Sequence, residues 1–107
     1  MSKITINYGK TEYTLEYNRQ SVRMMESQGF AADELTKQPV TMIPLLVQGA
    51  FMKNHKGLKR ALIDEIYDNV ADKSAFIGAL VELYSETLNS LIGDSENEGN
   101  VSWAVAK

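Results

Sequence analysis

The chain has 107 residues, a net charge of −3, 44% hydrophobic and 23% charged residues, and no cysteine. This length and composition are those of a single globular domain with its own core. The weak negative charge disfavours nucleic acid and anionic membranes as partners, because both attract basic surfaces, and the absence of cysteine excludes disulfide and thiolate chemistry.

Residues 3–17 predict a β-hairpin. Apolar and polar residues alternate with period two on either side of Gly9-Lys10, which is the spacing of two strands joined by a two-residue loop. Glycine accepts the positive φ that a type II′ turn requires at its first central position. The register that follows gives the hairpin one apolar face, formed by Ile4, Ile6, Tyr13 and Leu15. This face must lie on other apolar elements, because an isolated hairpin is marginally stable.

Two helices are predicted next. Asn18 suits the N-cap of a first helix over residues 19–28, which Gly29 would end. A polar connection follows and ends in Pro39, with one irregular helical turn near residues 32–35. The second helix is predicted to be capped by Thr41 and to carry Pro44 in its first turn, where a missing N–H is tolerated.

Two further helices complete the predicted domain. The third has an apolar stripe made of Leu62, Ile63, Ile66, Tyr67 and Val70. Asp72 would cap the fourth and longest helix, over about residues 73–92. The expected fold is therefore α+β, a two-stranded antiparallel hairpin on a bundle of about four α-helices, in one domain over residues 1–93. Residues 94–107 are predicted to be an acidic linker and a short, strand-like apolar tail.

The second helix is a candidate protein-binding element, because Pro39–Met52 carries no charge over fourteen residues. A helix that is apolar on nearly all sides must be covered on nearly all sides. It is either the central core helix or a helix that also contacts another protein chain, and its methionines would suit an adaptable contact surface. The protein-binding residues predicted here are Met42, Leu45, Leu46, Phe51 and Met52.

The C-terminal tail is a second candidate protein-binding segment. Val101, Trp103 and Val105 alternate with small residues, which is strand spacing, and they follow a linker rich in glycine and acidic residues. These three are predicted protein-binding residues. The tail would add to the hairpin edge of its own domain, of a neighbouring copy, or of a different protein.

Catalytic chemistry is not expected. His55 is the single histidine, and a zinc site would need three carboxylates around it, so it is interpreted as a loop or helix-end residue. Asp64, Glu65 and Asp68 are interpreted as a solvated acidic face opposite the apolar stripe, although Asp64 and Asp68 leave a hydrolase hypothesis open. No nucleotide-binding, nucleophile-elbow or zinc-protease motif occurs. The sequence predicts a protein without catalytic residues, metal, cofactor or small-molecule substrate.

Several blocks of the sequence resemble a known family: GKTEYTLEYNRQSVRMMESQGF, TMIPLLVQGAF, NHKGLKR, IDEIYDNVADK and a C-terminal GNVSW. Together they are similar to small proteins encoded in the tail-morphogenesis region of long-tailed, siphovirus-type phages and prophages, identified as tail assembly chaperones. The most specific blocks are IDEIYD and the terminal Gly99, Asn100 and Trp103. The resemblance covers nearly the whole chain.

The resemblance implies a non-enzymatic, oligomerising protein of the host bacterial cytoplasm. It would bind the tape measure protein, and tail tube subunits as well, before the tube polymerises. Apolar stripes of a long helical client need an adaptable apolar coat. A C-terminal strand passed to the next copy would build an open array along that client. The alternative is a structural minor tail component that is retained in the virion.

Overall fold

The computed structural model describes residues 3–92, which form an α+β fold. The antiparallel hairpin consists of strands β1 (Ile4–Tyr8) and β2 (Thr11–Leu15). The helices are α1 (Arg19–Ser27), α2 (Pro39–Met52), α3 (Arg60–Asp68) and α4 (Lys73–Ile92), with a short 3₁₀ turn at Ala32–Glu34 before α2. The predicted fold class is confirmed. The predicted tail residues Val101, Trp103 and Val105 lie outside the described residues.

The hairpin has the predicted register. Tyr8 pairs with Thr11 next to the two-residue loop, and the remaining pairs end with Ile4 opposite Leu15. Gly9 has a φ of 64°, as the type II′ turn requires. Side chains of alternating residues therefore point to one face, where Leu15 is fully buried and the apolar residues of β1 are half-buried.

Side-chain caps fix the starts of α1 and α4 where the sequence predicts them. The Asn18 side chain accepts a hydrogen bond from the Ser21 backbone N–H at 2.8 Å, and the Ser21 hydroxyl accepts one from the Asn18 N–H at 2.8 Å. This reciprocal pair is a capping box. Asp72 accepts from the Ala75 N–H at 3.2 Å. After α1 the chain turns at Gly29, whose φ of 97° is a conformation that glycine adopts without steric cost.

Helix α2 begins earlier than predicted. Its first residue is Pro39 and its N-cap is Gln38, so Thr41 lies inside the first turn and caps nothing. The sequence interpretation treated Pro39 as the end of a connection. A proline is nevertheless well suited to the first helical position, because its fixed φ is helical and its missing N–H would have no partner there. Pro44 consequently lies one turn further into the helix than expected.

Helix α2 is the centre of the molecule. It contacts strand β2, the 3₁₀ turn and all three other helices. Two of the largest fully buried side chains, Leu46 and Phe51, belong to α2, and the others include Tyr17, Leu15, Ile66 and Leu80. The buried Tyr17 hydroxyl donates a 2.6 Å hydrogen bond to the Leu46 carbonyl of α2. No helix within residues 3–92 combines the length and apolar character needed to cross a membrane.

The C-terminal end of α2 covers the outer edge of β2. The Thr14 N–H donates to His55 Nε2 at 3.0 Å, and the Glu16 N–H donates to the Ala50 carbonyl at 3.0 Å. Asn54 Nδ2 donates to the Thr14 carbonyl at 3.2 Å. The outward N–H groups of Thr14 and Glu16 and the outward carbonyl of Thr14, which an edge strand would leave to solvent or to another chain, are therefore satisfied.

Candidate protein-binding surfaces

The five predicted binding residues of α2 do not share one surface. Met42, Leu46 and Phe51 are 5%, 0% and 1% exposed and belong to the core. Leu45 and Met52 are partly exposed. The core interpretation of α2 therefore describes three of these residues, and the apolar surface that α2 offers to solvent consists largely of other side chains.

Leu45 and Met52 lie together in a small groove that we call the methionine groove. It has a volume of about 200 Å³ and runs between α1, α2 and the segment that leads into α3. Met24 and Met25 of α1 also line it, and the Met24 side chain is 44% exposed. The structure thus brings three of the five methionines of the chain to one place, whereas Met42 lies in the core.

A larger groove lies on the other side of α2, and we call it the α2–α3 groove. Its volume is about 440 Å³, and it is lined by Pro39, Val40, Ile43, Pro44, Val47, Asp64, Tyr67 and Asp68. The Val40 side chain is 87% exposed, while Ile43 and Pro44 are half-buried. A large apolar side chain held in water gains free energy when a partner covers it. This groove is the strongest candidate for a contact with another polypeptide.

Two prolines hold the N-terminal end of α2 at this groove. Pro39 presets the first turn. Pro44 has no N–H, so the Val40 carbonyl cannot receive the usual bond from the residue four positions on. The two proline rings restrict the backbone of this turn, although the turn lacks one helical hydrogen bond. The Val40 side chain points from it into solvent. Backbone positions restricted in this way lower the entropic cost that the binding of a partner to the groove would incur.

Asp64 and Asp68 form one rim of the α2–α3 groove, on either side of Tyr67. Their exposure agrees with the sequence interpretation, but their position does not: they do not lie opposite Tyr67. On a helix, residues 64 and 68 are one turn apart and lie on the same side as residue 67. Within residues 3–92 neither aspartate takes part in an ion pair. The groove therefore combines an apolar floor with an acidic rim.

Two titratable side chains elsewhere, His55 and Tyr8, take part in contacts that hold the fold together. His55 lies beyond the end of α2, as interpreted, and its ring packs on Tyr13 with ring centroids 5.1 Å apart. The Tyr8 hydroxyl donates to Glu65 at 2.9 Å, and this bond raises the pKa of Tyr8. Among the described residues no three histidine, aspartate or glutamate side chains cluster as metal ligands would.

The sequence interpretation missed the residues that dominate the α2–α3 groove. Val40, Ile43 and Pro44 lie within the uncharged segment but were not predicted to be binding residues. Tyr67 was assigned to the apolar stripe of α3. A signal was available for the first of these. If Pro39 is the first helical residue, Val40 occupies the first exposed turn, where an apolar residue has no core to face.

Fold and surfaces define a small α+β domain with an apolar groove on each side of its central helix. Residues 1–106 match the family model described as Domain of unknown function (DUF5055). The chain belongs to this family. No curated protein and no solved structure matches it.

Proposed function

We propose that this protein is a non-enzymatic tail assembly chaperone of a long-tailed phage or prophage. It binds the tape measure protein, together with tail tube subunits, in the host bacterial cytoplasm during tail morphogenesis. The observation that carries the proposal is the α2–α3 groove with its exposed Val40. The resemblance of the sequence to tail assembly chaperones supports the identity of the client.

The groove suits an amphipathic helix as client. Val40 and Val47 are seven residues apart along α2, a distance of about 10 Å, which matches two turns of a docked helix. Such a helix inserts apolar residues spaced three and four apart. Basic residues on its flank would pair with Asp64 and Asp68. A tape measure protein is long and helical, so it offers many such segments along its length.

The test is co-expression with the tape measure protein of the phage or prophage that encodes this chain. The intact chain is expected to keep the tape measure protein in the soluble fraction, and Val40→Lys to abolish this effect. Val40 is almost fully exposed, so its replacement leaves the fold unchanged. Met24→Lys is the matched control, because Met24 is an exposed apolar residue of the methionine groove. Equal solubility with Val40→Lys and intact chain contradicts the assignment of this groove.

A minor tail component retained in the virion is the alternative, and a separate measurement distinguishes it. Mass spectrometry of purified virions is expected to detect tail tube protein and tape measure protein but not this chain. Detection of the chain in amounts comparable to a tail subunit would contradict the role of a chaperone that leaves before the tail is complete.

A further inference from the structure

Among residues 3–92 the outer edge of strand β1 has no cover, whereas the edge of β2 is covered at Thr14 and Glu16. Thr14 and Glu16 direct their N–H groups away from β1, towards His55 and Ala50. Residues in an antiparallel pair alternate between bonding each other and pointing outward. Thr5 is the partner of Thr14, so Thr5 and then Asn7 direct their N–H and C=O groups away from β2. Within residues 3–92 none of these outward groups is hydrogen-bonded.

A groove of about 420 Å³ runs beside this edge, between β1 and the turn from α3 to α4. The apolar residues that line it include Ile6, Ile66, Val70 and Phe76. Its volume lies within the range of about 300–1,000 Å³ that is usual for pockets that bury a whole ligand. An open strand edge beside an apolar groove is the arrangement that strand addition uses: the backbone pairs with the edge, and alternate side chains enter the groove.

We propose that the β1 edge and its groove bind residues Val101–Lys107 of a second copy of this chain. Added as a third strand, this segment would place Val101, Trp103 and Val105 on the same face as Ile6, over the groove. Ser102, Ala104 and Ala106 would then lie beside the exposed Thr5 and Asn7. Apolar side chains would meet apolar ones on one face, and small or polar ones would remain in solvent on the other.

Chain length favours a second copy over the same chain. Phe76 of the groove lies in the first turn of α4, and Ile92 is 16 residues further on, about 24 Å along the helix axis. Eight residues, 93–100, separate Ile92 from the tail. Eight residues span at most about 28 Å when fully extended. Docking on the same domain would need the linker close to full extension, whereas docking on a neighbour has no such requirement.

Charge is complementary for either orientation of the added strand. The linker contains Asp94, Glu96 and Glu98. Lys3 and Lys10 are exposed and lie at the two ends of β1, so the acidic linker meets a basic residue whichever end it enters from. Each copy carries one donor tail and one acceptor edge, and the contact joins copies head to tail. This inference does not depend on the client of the proposed function.

The test uses two full-length variants, one defective in each half of the contact. Trp103→Asp places a charge in the donor tail and leaves the acceptor edge of β1 unchanged. Thr5→Pro spoils the edge, because proline removes the outward N–H, and edge strands tolerate proline. Glu12→Pro is the matched control, since Glu12 pairs with Asn7 and lies on the outer edge of the other strand. Far-UV circular dichroism checks that each variant is folded.

Sedimentation velocity is expected to show concentration-dependent association of the intact chain and of Glu12→Pro, and monomers for Trp103→Asp and Thr5→Pro alone. An equimolar mixture of these two should form a one-to-one heterodimer, because one supplies the edge and the other the tail. An intact chain that stays monomeric at every concentration overturns the inference, as does a mixture that forms no heterodimer.

A peptide titration keeps the test valid if Thr5→Pro does not fold. Trp103 is the sole tryptophan of the chain, so the Trp103→Asp protein contains none. Adding this protein to a fixed amount of the peptide VSWAVAK should shift the tryptophan emission to shorter wavelength in a saturable manner, as the indole leaves water. The same peptide with aspartate in place of tryptophan should not compete with it. An unshifted emission at saturating protein overturns the inference.

Discussion

Gly49 of α2 lies against the side chain of Met25 in α1, and this contact provides a quantitative test of the packing around α2. A Cβ atom built on Gly49 overlaps the sulfur of Met25 in α1 and lies 2.7 Å from its Cγ. Met25 is itself 3% exposed and lines the methionine groove, so relieving the overlap means displacing its side chain from the packed position. Gly49→Ala therefore forces α1 and α2 apart or pushes Met25 out of its rotamer.

The expected magnitude follows from two opposing effects. Replacing glycine by alanine in a helix interior stabilises a protein by up to about 1 kcal/mol. Overpacking a buried site costs about 1–3 kcal/mol. Gly78 of α4 is the matched control, because a Cβ built there meets nothing within 4 Å. Gly78→Ala should gain the full helix-propensity term, and Gly49→Ala should be less stable than Gly78→Ala by about 1–3 kcal/mol.

Urea unfolding followed by far-UV circular dichroism measures the free energy of unfolding of both variants. The slope of the transition should be unchanged, because neither substitution alters the surface that unfolding exposes by much. A Gly49→Ala protein as stable as Gly78→Ala would refute the reasoning: it would mean that α1 does not lie against α2 as closely as the structure places it.

Two further predictions concern single hydrogen bonds and their dependence on pH. Tyr17→Phe removes the hydroxyl that donates to the Leu46 carbonyl, and urea unfolding should show that the free energy of unfolding falls by about 0.5–1.5 kcal/mol. Burial raises the pKa of Tyr17 well above 10.0, so the stability of the intact chain should fall as pH rises above 10.0. The stability of Tyr17→Phe should fall less over the same range. Hydrogen bonds from Lys53 and Asn54 lower the pKa of Glu16 below 4.5, so the stabilisation from Glu16 is present above pH 4.5 and is lost as pH falls through the lowered pKa. Acid titration of Glu16→Gln should show a smaller loss of stability in that range, and an identical profile would mean that the Lys53 contact contributes nothing.

The hairpin and the starts of two helices were predictable because local sequence determines them. Period-two alternation around a glycine allows one register, since a shift by one residue would turn the apolar face to solvent. Asn18 and Asp72 are short polar side chains directly before apolar helical patterns, and each accepts a backbone N–H where expected. These features need no knowledge of the rest of the chain.

The start of α2 was not predicted, because proline has two opposite meanings. It ends a helix when it lies within one, and it favours a helix when it is the first residue. Thr41 offered a conventional cap two residues later, and the sequence gives no local reason to prefer Pro39. The structure resolves the choice in favour of Pro39, and the exposed position of Val40 follows from it.

The division of α2 into core and surface was beyond sequence reasoning. A helix with apolar residues on nearly all sides has no amphipathic pattern that marks its buried face. Only the positions of its neighbours show that Met42, Leu46 and Phe51 are covered. The same holds for the two edges of the hairpin, since the cover of β2 includes the His55 ring, which lies 41 residues away in the chain from Thr14.

The proposed function depends on contact between the α2–α3 groove and the client. Hydroxyl-radical footprinting of the full chain, with and without a soluble helical fragment of the tape measure protein, tests it directly. Val40, Ile43 and Tyr67 should lose reactivity when the fragment is added, while Met24 on the other side of α2 should remain as reactive as before. Unchanged reactivity of Val40 and Tyr67 at saturating fragment, or protection of Met24 instead, would contradict the claim.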